Sequence, residues 1–201
     1  MTLATRLTVG RLVMAPLFMV FILRETVHSL WIASILYTLA AVTDGVDGYL
    51  ARKTGTVTPL GRMLDPLADK LLVGFAYLSF LFLRVPGVEL WMVAIILARE
   101  LLVTWLRSYA GRRGMIIHSS QLAKWKTTFQ MVFVFGLLIL LCYRASWVDP
   151  APEYWLRLEA PFTGFVYGAL VVTTLITLAS GLDYLWKNRA AFQRPADSGA
   201  A

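Results

Sequence analysis

The sequence predicts an all-α, polytopic membrane protein with six transmembrane helices and both termini cytoplasmic. Three observations carry this expectation. Of 201 residues, 58% are hydrophobic and only 15% charged, whereas about a quarter are charged in ordinary soluble domains. The apolar residues gather in six runs, and six helices of about 20 residues use about 120 positions. The charge is also lopsided, with 19 Lys+Arg against 12 Asp+Glu for a formal net charge of +7. An aromatic content of 13% excludes a disordered chain. Cys142, the single cysteine, leaves no disulfide framework within the chain and no Cys-based zinc site, and His28 and His118, 90 positions apart, read as surface histidines. Residues 1–192 read as one membrane domain, and 193–201 as a small, polar, disordered tail.

Segment one runs from Leu7 to Leu23, interrupted by Arg11; it resembles a signal peptide, but no small-residue cleavage site follows it and five more spans do. Segment two is uncharged from Ser29 to Thr43 and continues through Asp44 and Asp47. Segment three, about Leu60 to Leu83, carries Arg62, Asp65, Asp69 and Lys70 in its first half, and Thr58-Pro59 fits an N-cap followed by proline at the first helical position. Pro66 inside this helix frees the Arg62 carbonyl, which predicts a kink beside Asp65. Segment four, about Val88 to Leu106, is split by Arg99 and Glu100, and segment five is Thr127 to Tyr143. Segment six, Ala160 to Leu182, is 23 uncharged residues, enough by itself to cross a bilayer.

Orientation follows from the basic residues, which are enriched in cytoplasmic loops. Arg6, Arg11, Arg52, Lys53, Arg62, Arg107, Arg112, Arg113, Lys124, Lys126, Lys187, Arg189 and Arg194 fall on the side of both termini, against Arg24, Arg84, Arg144 and Arg157 on the other. This asymmetry explains the net charge without nucleic-acid binding. The seven tryptophans lie near segment ends or in the loop before segment six, as an interfacial belt does.

Charge inside a membrane helix costs about 2.5 to 3.5 kcal/mol per group on the most lenient scale, so four carboxylates in two helices require compensation. Asp44 and Asp47 are spaced i, i+3, with Gly48 beside them; Asp65 and Asp69 are spaced i, i+4, with Gly61 one turn before. From Ser29, Asp44 lies about 22 Å into a core of about 30 Å, near the cytoplasmic face. Segment three starts from that face, so the short connection brings all four carboxylates together. Two divalent cations would neutralise them, and Mg²⁺ favours carboxylates combined with substrate phosphates, so the pattern points to two-metal phosphoryl transfer. The competing reading pairs the aspartates with Arg52, Lys70 or Arg99 as buried salt bridges. The glycines favour the former, because they admit a ligand close to the backbone.

The run Asp44-Gly-Val-Asp47-Gly48-Tyr-Leu-Ala51-Arg52, followed after eight residues by Gly61 and then by Asp65 and Asp69 at four-residue steps, resembles the signature of the CDP-alcohol phosphatidyltransferases at every defining position. The resemblance implies a six-helix membrane enzyme, usually a homodimer, that displaces CMP from a CDP-linked lipid by an alcohol. It implies that Asp44, Asp47, Asp65 and Asp69 ligate two Mg²⁺ or Mn²⁺ ions, that Asp69 is also general base, and that Gly48, Arg52, Thr58 and Gly61 hold the cytidine diphosphate. Leu64-Asp65-Pro66-Leu67-Ala68-Asp69-Lys70, Ala98-Arg99-Glu100 and Lys124-Trp125-Lys126-Thr127-Thr128 are most similar to the members that take CDP-diacylglycerol and glycerol 3-phosphate. The family's Asn-Xaa-Xaa-Thr opening is not reproduced: Thr5 and Thr8 stand without the asparagine.

A dianionic acceptor needs cations outside the metal centre, and Arg107, Lys126, Arg99 and Lys124 are the candidates, with Arg107 and Lys126 first. The plainer readings are lipid-phosphate snorkelling for Arg107, Lys124 and Lys126, and an internal helix-to-helix pair for Arg99 and Glu100. The expected setting is a bacterial cytoplasmic membrane with the site facing the cytoplasm. Two rival functions stand beside this one: the same scaffold with inositol phosphate, phosphatidylglycerol or serine as acceptor, and a divalent-cation transporter. Transport sites lie near the midplane on interrupted helices, unlike these aspartates.

Overall fold

The structure, a computed structural model, describes residues 3–54, 59–112, 121–148 and 152–193; within these, the side chains at 3–6, 44–54, 59–66, 69, 112, 121–124, 148, 152–156 and 190–193 lie outside the described set. The described residues are helical with no strand: α1 (Leu3–Ile22), α2 (Val27–Thr54), α3 (Pro59–Phe82), α4 (Leu90–Arg112), α5 (Gln121–Tyr143), a π-helical turn (Arg144–Val148) and α6 (Pro152–Gln193). Each expected segment falls on one helix. The ends differ most at α6, which extends well beyond Ala160 and Leu182 at both ends because its flanking turns carry charge while keeping helical hydrogen bonds. Pro59 opens α3 as expected, whereas Thr58 and the polar tail beyond Gln193 lie outside the described residues.

Local chemistry fixes the connections. Before α2, the Thr26 N–H donates to Ser29 Oγ at 3.1 Å and the Ser29 N–H to Thr26 Oγ1 at 3.2 Å, a reciprocal capping box in which Ser29 stands in for the usual Glu. After α3, the Val85 N–H donates to the Phe80 carbonyl at 3.1 Å and the Arg84 N–H to that of Leu81 at 3.0 Å. This is a Schellman cap, with Arg84 at φ 49° where glycine is usual. Phe80 and Val85, the two residues its hydrophobic contact requires, are both buried.

α1 packs on α2 and α3, α5 on α2 and α6, and α4 on α3 and α6. Aromatic rings join these layers. Tyr37 of α2 lies between Phe18 of α1 (centroids 5.5 Å) and Phe135 of α5 (5.2 Å), while Tyr77 of α3 stacks on Phe133 of α5 at 5.8 Å. The outside is as apolar as the inside: Leu101, Val132, Ile139, Phe165 and Leu182 are all about two-thirds exposed. Soluble monomers do not present so continuous an apolar exterior, and lipid is its natural solvent. Trp125–Trp147 and Arg157–Arg189 are each long and apolar enough to cross a membrane; Leu7–Ile22, Val27–Thr43 and Lys70–Phe82 are shorter apolar stretches. Trp31, Trp91, Trp105, Trp125, Trp147 and Trp186 are all exposed, as a belt facing headgroups requires. Trp155 has its side chain outside the described set.

Candidate active site

Asp44, Asp47, Gly48 and Arg52 lie within α2, and Gly61, Asp65 and Asp69 within α3. Both helices run unbroken through these positions, so the i, i+3 and i, i+4 spacings set each aspartate pair along one helical face. The side chains of these seven residues and of Lys124 lie outside the described set. The two helices touch each other and share α1 as a common support. On α1, Thr8 and Arg11 are buried, each only 1% exposed. Arg11, which reads in the sequence as a cytoplasmic-side charge, is thus an interior cation one turn from a buried hydroxyl. The signal for it was its place inside an apolar run.

Four aspartates supply hard, anionic oxygen donors, the chemistry that Mg²⁺ or Mn²⁺ takes. Among the described side chains no other group of three or more His, Cys, Asp or Glu could hold a metal. The donor set therefore fits a divalent cation, and it sits on two adjoining helices.

A second constellation surrounds Glu100. Its side chain, 5% exposed, receives Lys70 Nζ of α3 on Oε2 at 2.6 Å, Arg99 Nη1 of its own helix on Oε1 at 3.4 Å, and Lys126 Nζ of α5 on Oε1. Lys126, an expected acceptor ligand, is thus buried in an ion pair, and Lys70 joins it from the position directly after Asp69. Arg99 lies across Gly181 of α6, where a Cβ would come within 3.2 Å of Arg99 Cγ. Arg107 is exposed two turns further along α4, within electrostatic reach of Arg99. Tyr77 and Tyr184 hydroxyls, Gln130 Nε2 and Arg99 Nε are buried without a hydrogen-bond partner among the described residues. Tyr77 is within electrostatic reach of Glu100, and Tyr184 of Arg99. Burying charge is costly unless it is matched, so polar groups of this number in an apolar bundle mark a working interior.

The profile of the CDP-alcohol phosphatidyltransferase family matches residues 1–176. The chain belongs to that family. This phosphatidyltransferase is similar to several bacterial proteins named CDP-diacylglycerol–glycerol-3-phosphate 3-phosphatidyltransferase. It is 33% identical to that of Bacillus subtilis over 203 residues, covering 95% of this chain and 97% of the relative. With that of Pseudomonas fluorescens it shares 34% identity over 191 residues, 92% of this chain and 89% of the relative. The Rickettsia typhi protein is 38% identical over 134 residues, 67% of this chain and 74% of the relative. The phosphatidyltransferase is a membrane enzyme of phospholipid biosynthesis, as its family and its apolar exterior together require.

Proposed function

We propose that the protein transfers the phosphatidyl group of CDP-diacylglycerol to glycerol 3-phosphate, yielding phosphatidylglycerophosphate and CMP. The observation that carries this reading is the link between its two constellations: Lys70, next to Asp69 on the aspartate-bearing helix, reaches Glu100 and through it Lys126. A phosphate-binding cluster thereby adjoins the helix of the reacting centre, as a phosphorylated acceptor requires. The names of relatives that cover nearly the whole chain support the same acceptor.

In the reaction, a hydroxyl oxygen of glycerol 3-phosphate bonds to the phosphorus bearing diacylglycerol. The phosphorus–oxygen bond to CMP breaks, CMP leaves with the electron pair, and Asp69 accepts the hydroxyl proton. Asp44, Asp47, Asp65 and Asp69 would hold two Mg²⁺ or Mn²⁺ ions, which supply charge stabilisation for the diphosphate. Gly48 and Gly61 leave room for the nucleotide against the helix backbones, and Arg52 can bind a phosphate oxygen in bidentate fashion. Thr58 completes the nucleotide site. Arg99, Arg107, Lys124 and Lys126 hold the acceptor phosphate, and proximity supplies much of the rate. All six helices span the bilayer as one domain over residues 1–192. The termini and active site face the cytoplasm of a bacterial cell, and the enzyme acts as a homodimer, as its resemblance to the family implies.

The test is an acceptor screen with CMP detection. Purified enzyme with Mg²⁺ and CDP-diacylglycerol is offered glycerol 3-phosphate, inositol phosphate, serine or phosphatidylglycerol. CMP release with the first alone is expected; release with another acceptor in its place would reassign the substrate.

A further inference from the structure

We infer that Glu100 is a positioning residue for the acceptor: its two carboxylate oxygens hold the ammonium groups of Lys70 and Lys126 at the spacing and charge that a phosphate monoester needs. This rests on the proposed acceptor. Oε2 takes Lys70 from α3 and Oε1 takes Lys126 from α5, with Arg99 also on Oε1. One carboxylate is therefore shared by three cations from three helices, and the cluster keeps a surplus of two positive charges. A lone structural ion pair needs one cation, and each further buried cation raises the cost of the site. A phosphate monoester dianion carries the two negative charges that neutralise this surplus. A phosphodiester carries one, and a neutral alcohol none.

The surroundings agree with an anionic guest. Lys126 is held only 3% exposed, while Lys70 retains 28% exposure, so the cluster is closed toward α5 and open beside Asp69. Gln130, one turn after Lys126, and Tyr77, two turns after Lys70, are buried with a donor lacking a partner among the described residues. Without the carboxylate, three like charges would repel and their ammonium groups would lose both position and mutual spacing. Glu100 itself never touches the acceptor in this scheme; it acts through the two lysines.

The test compares Glu100→Gln and Glu100→Asp with the wild type by steady-state kinetics of CMP release, alongside elution profile and thermal midpoint in detergent. The amide keeps the shape without the charge, and the shorter acid keeps the charge but cannot span both lysines. For Glu100→Gln, KM for glycerol 3-phosphate should rise about 10- to 100-fold, the scale of a charge-assisted hydrogen bond. KM for CDP-diacylglycerol should stay within about twofold. Glu100→Asp should give a smaller rise in the same KM at a near-normal midpoint, and it decides the matter should the glutamine variant not fold. A lower KM for glycerol 3-phosphate, an equal change for both substrates, or a change confined to kcat would overturn the inference. A wild-type enzyme preferring inositol phosphate would displace the acceptor reading while leaving Glu100 testable on that phosphomonoester. Preference for serine would overturn both.

Discussion

Asp65 and Glu100 illustrate two ways in which an acidic residue survives in an apolar bundle. The aspartates of α2 and α3 answer to ligands from outside the chain, and Glu100 answers to cations within it. Asp65→Asn should therefore remove a donor for the divalent cation and lower CMP release by at least about 100-fold, the scale of losing one preorganised electrostatic group. Wild-type turnover by the folded variant with Mg²⁺ would contradict the metal role. The aspartate pattern was legible in the sequence because it repeats at helical spacing within two neighbouring helices. The Glu100 cluster was not: Lys126 is 26 positions from Glu100, and only folding brings α3, α4 and α5 together there. The sequence marks Glu100 as one half of a pair with Arg99, yet the shorter contact is to Lys70 on another helix.

Among the elements, helix centres were more legible than helix ends. Hydropathy locates α3 and α5 to within a few residues of their limits, but it truncates α2 and α6, whose charged turns are helical and no longer apolar. The connections hold information that no period reveals. Gly87, in the turn between α3 and α4, has φ +88°, and a Cβ there would stand 2.6 Å from the Thr163 carbonyl and 2.9 Å from the Tyr167 nitrogen. Both obstacles are backbone of α6, so neither can swing aside. Gly87→Ala should cost about 1–3 kcal/mol through the strained φ and the forced separation of the turn from α6. A fall of several degrees in the thermal midpoint in detergent is expected; an unchanged midpoint would mean that the turn does not bear on α6.

For the whole molecule, the positive-inside asymmetry makes a claim that chemistry can check. Cys142 is buried, so the wild type offers little background to a membrane-impermeant maleimide. In intact spheroplasts Glu89→Cys, at an exposed position before α4, should label, and Ser198→Cys should not. In inverted vesicles the pattern should reverse. Labelling of both from one side would require an odd number of crossings between them and a different topology. The apolar exterior was legible from composition alone, whereas the order in which helices pack, with α1 supporting both aspartate-bearing helices, required the fold.

The length of α6 has a mechanical consequence. Its 42 residues rise about 63 Å at the usual helical pitch, roughly twice the hydrocarbon thickness. Near its far end the Arg189 guanidinium lies over the exposed Trp186 ring at 4.0 Å, and Lys187 pairs with Asp183 at 3.0 Å. Such groups hold station among lipid headgroups. The last turns of α6 therefore work as a float, fixing the depth at which the bundle rides and keeping the mouth beside Asp69 level with the headgroups of the lipid it consumes.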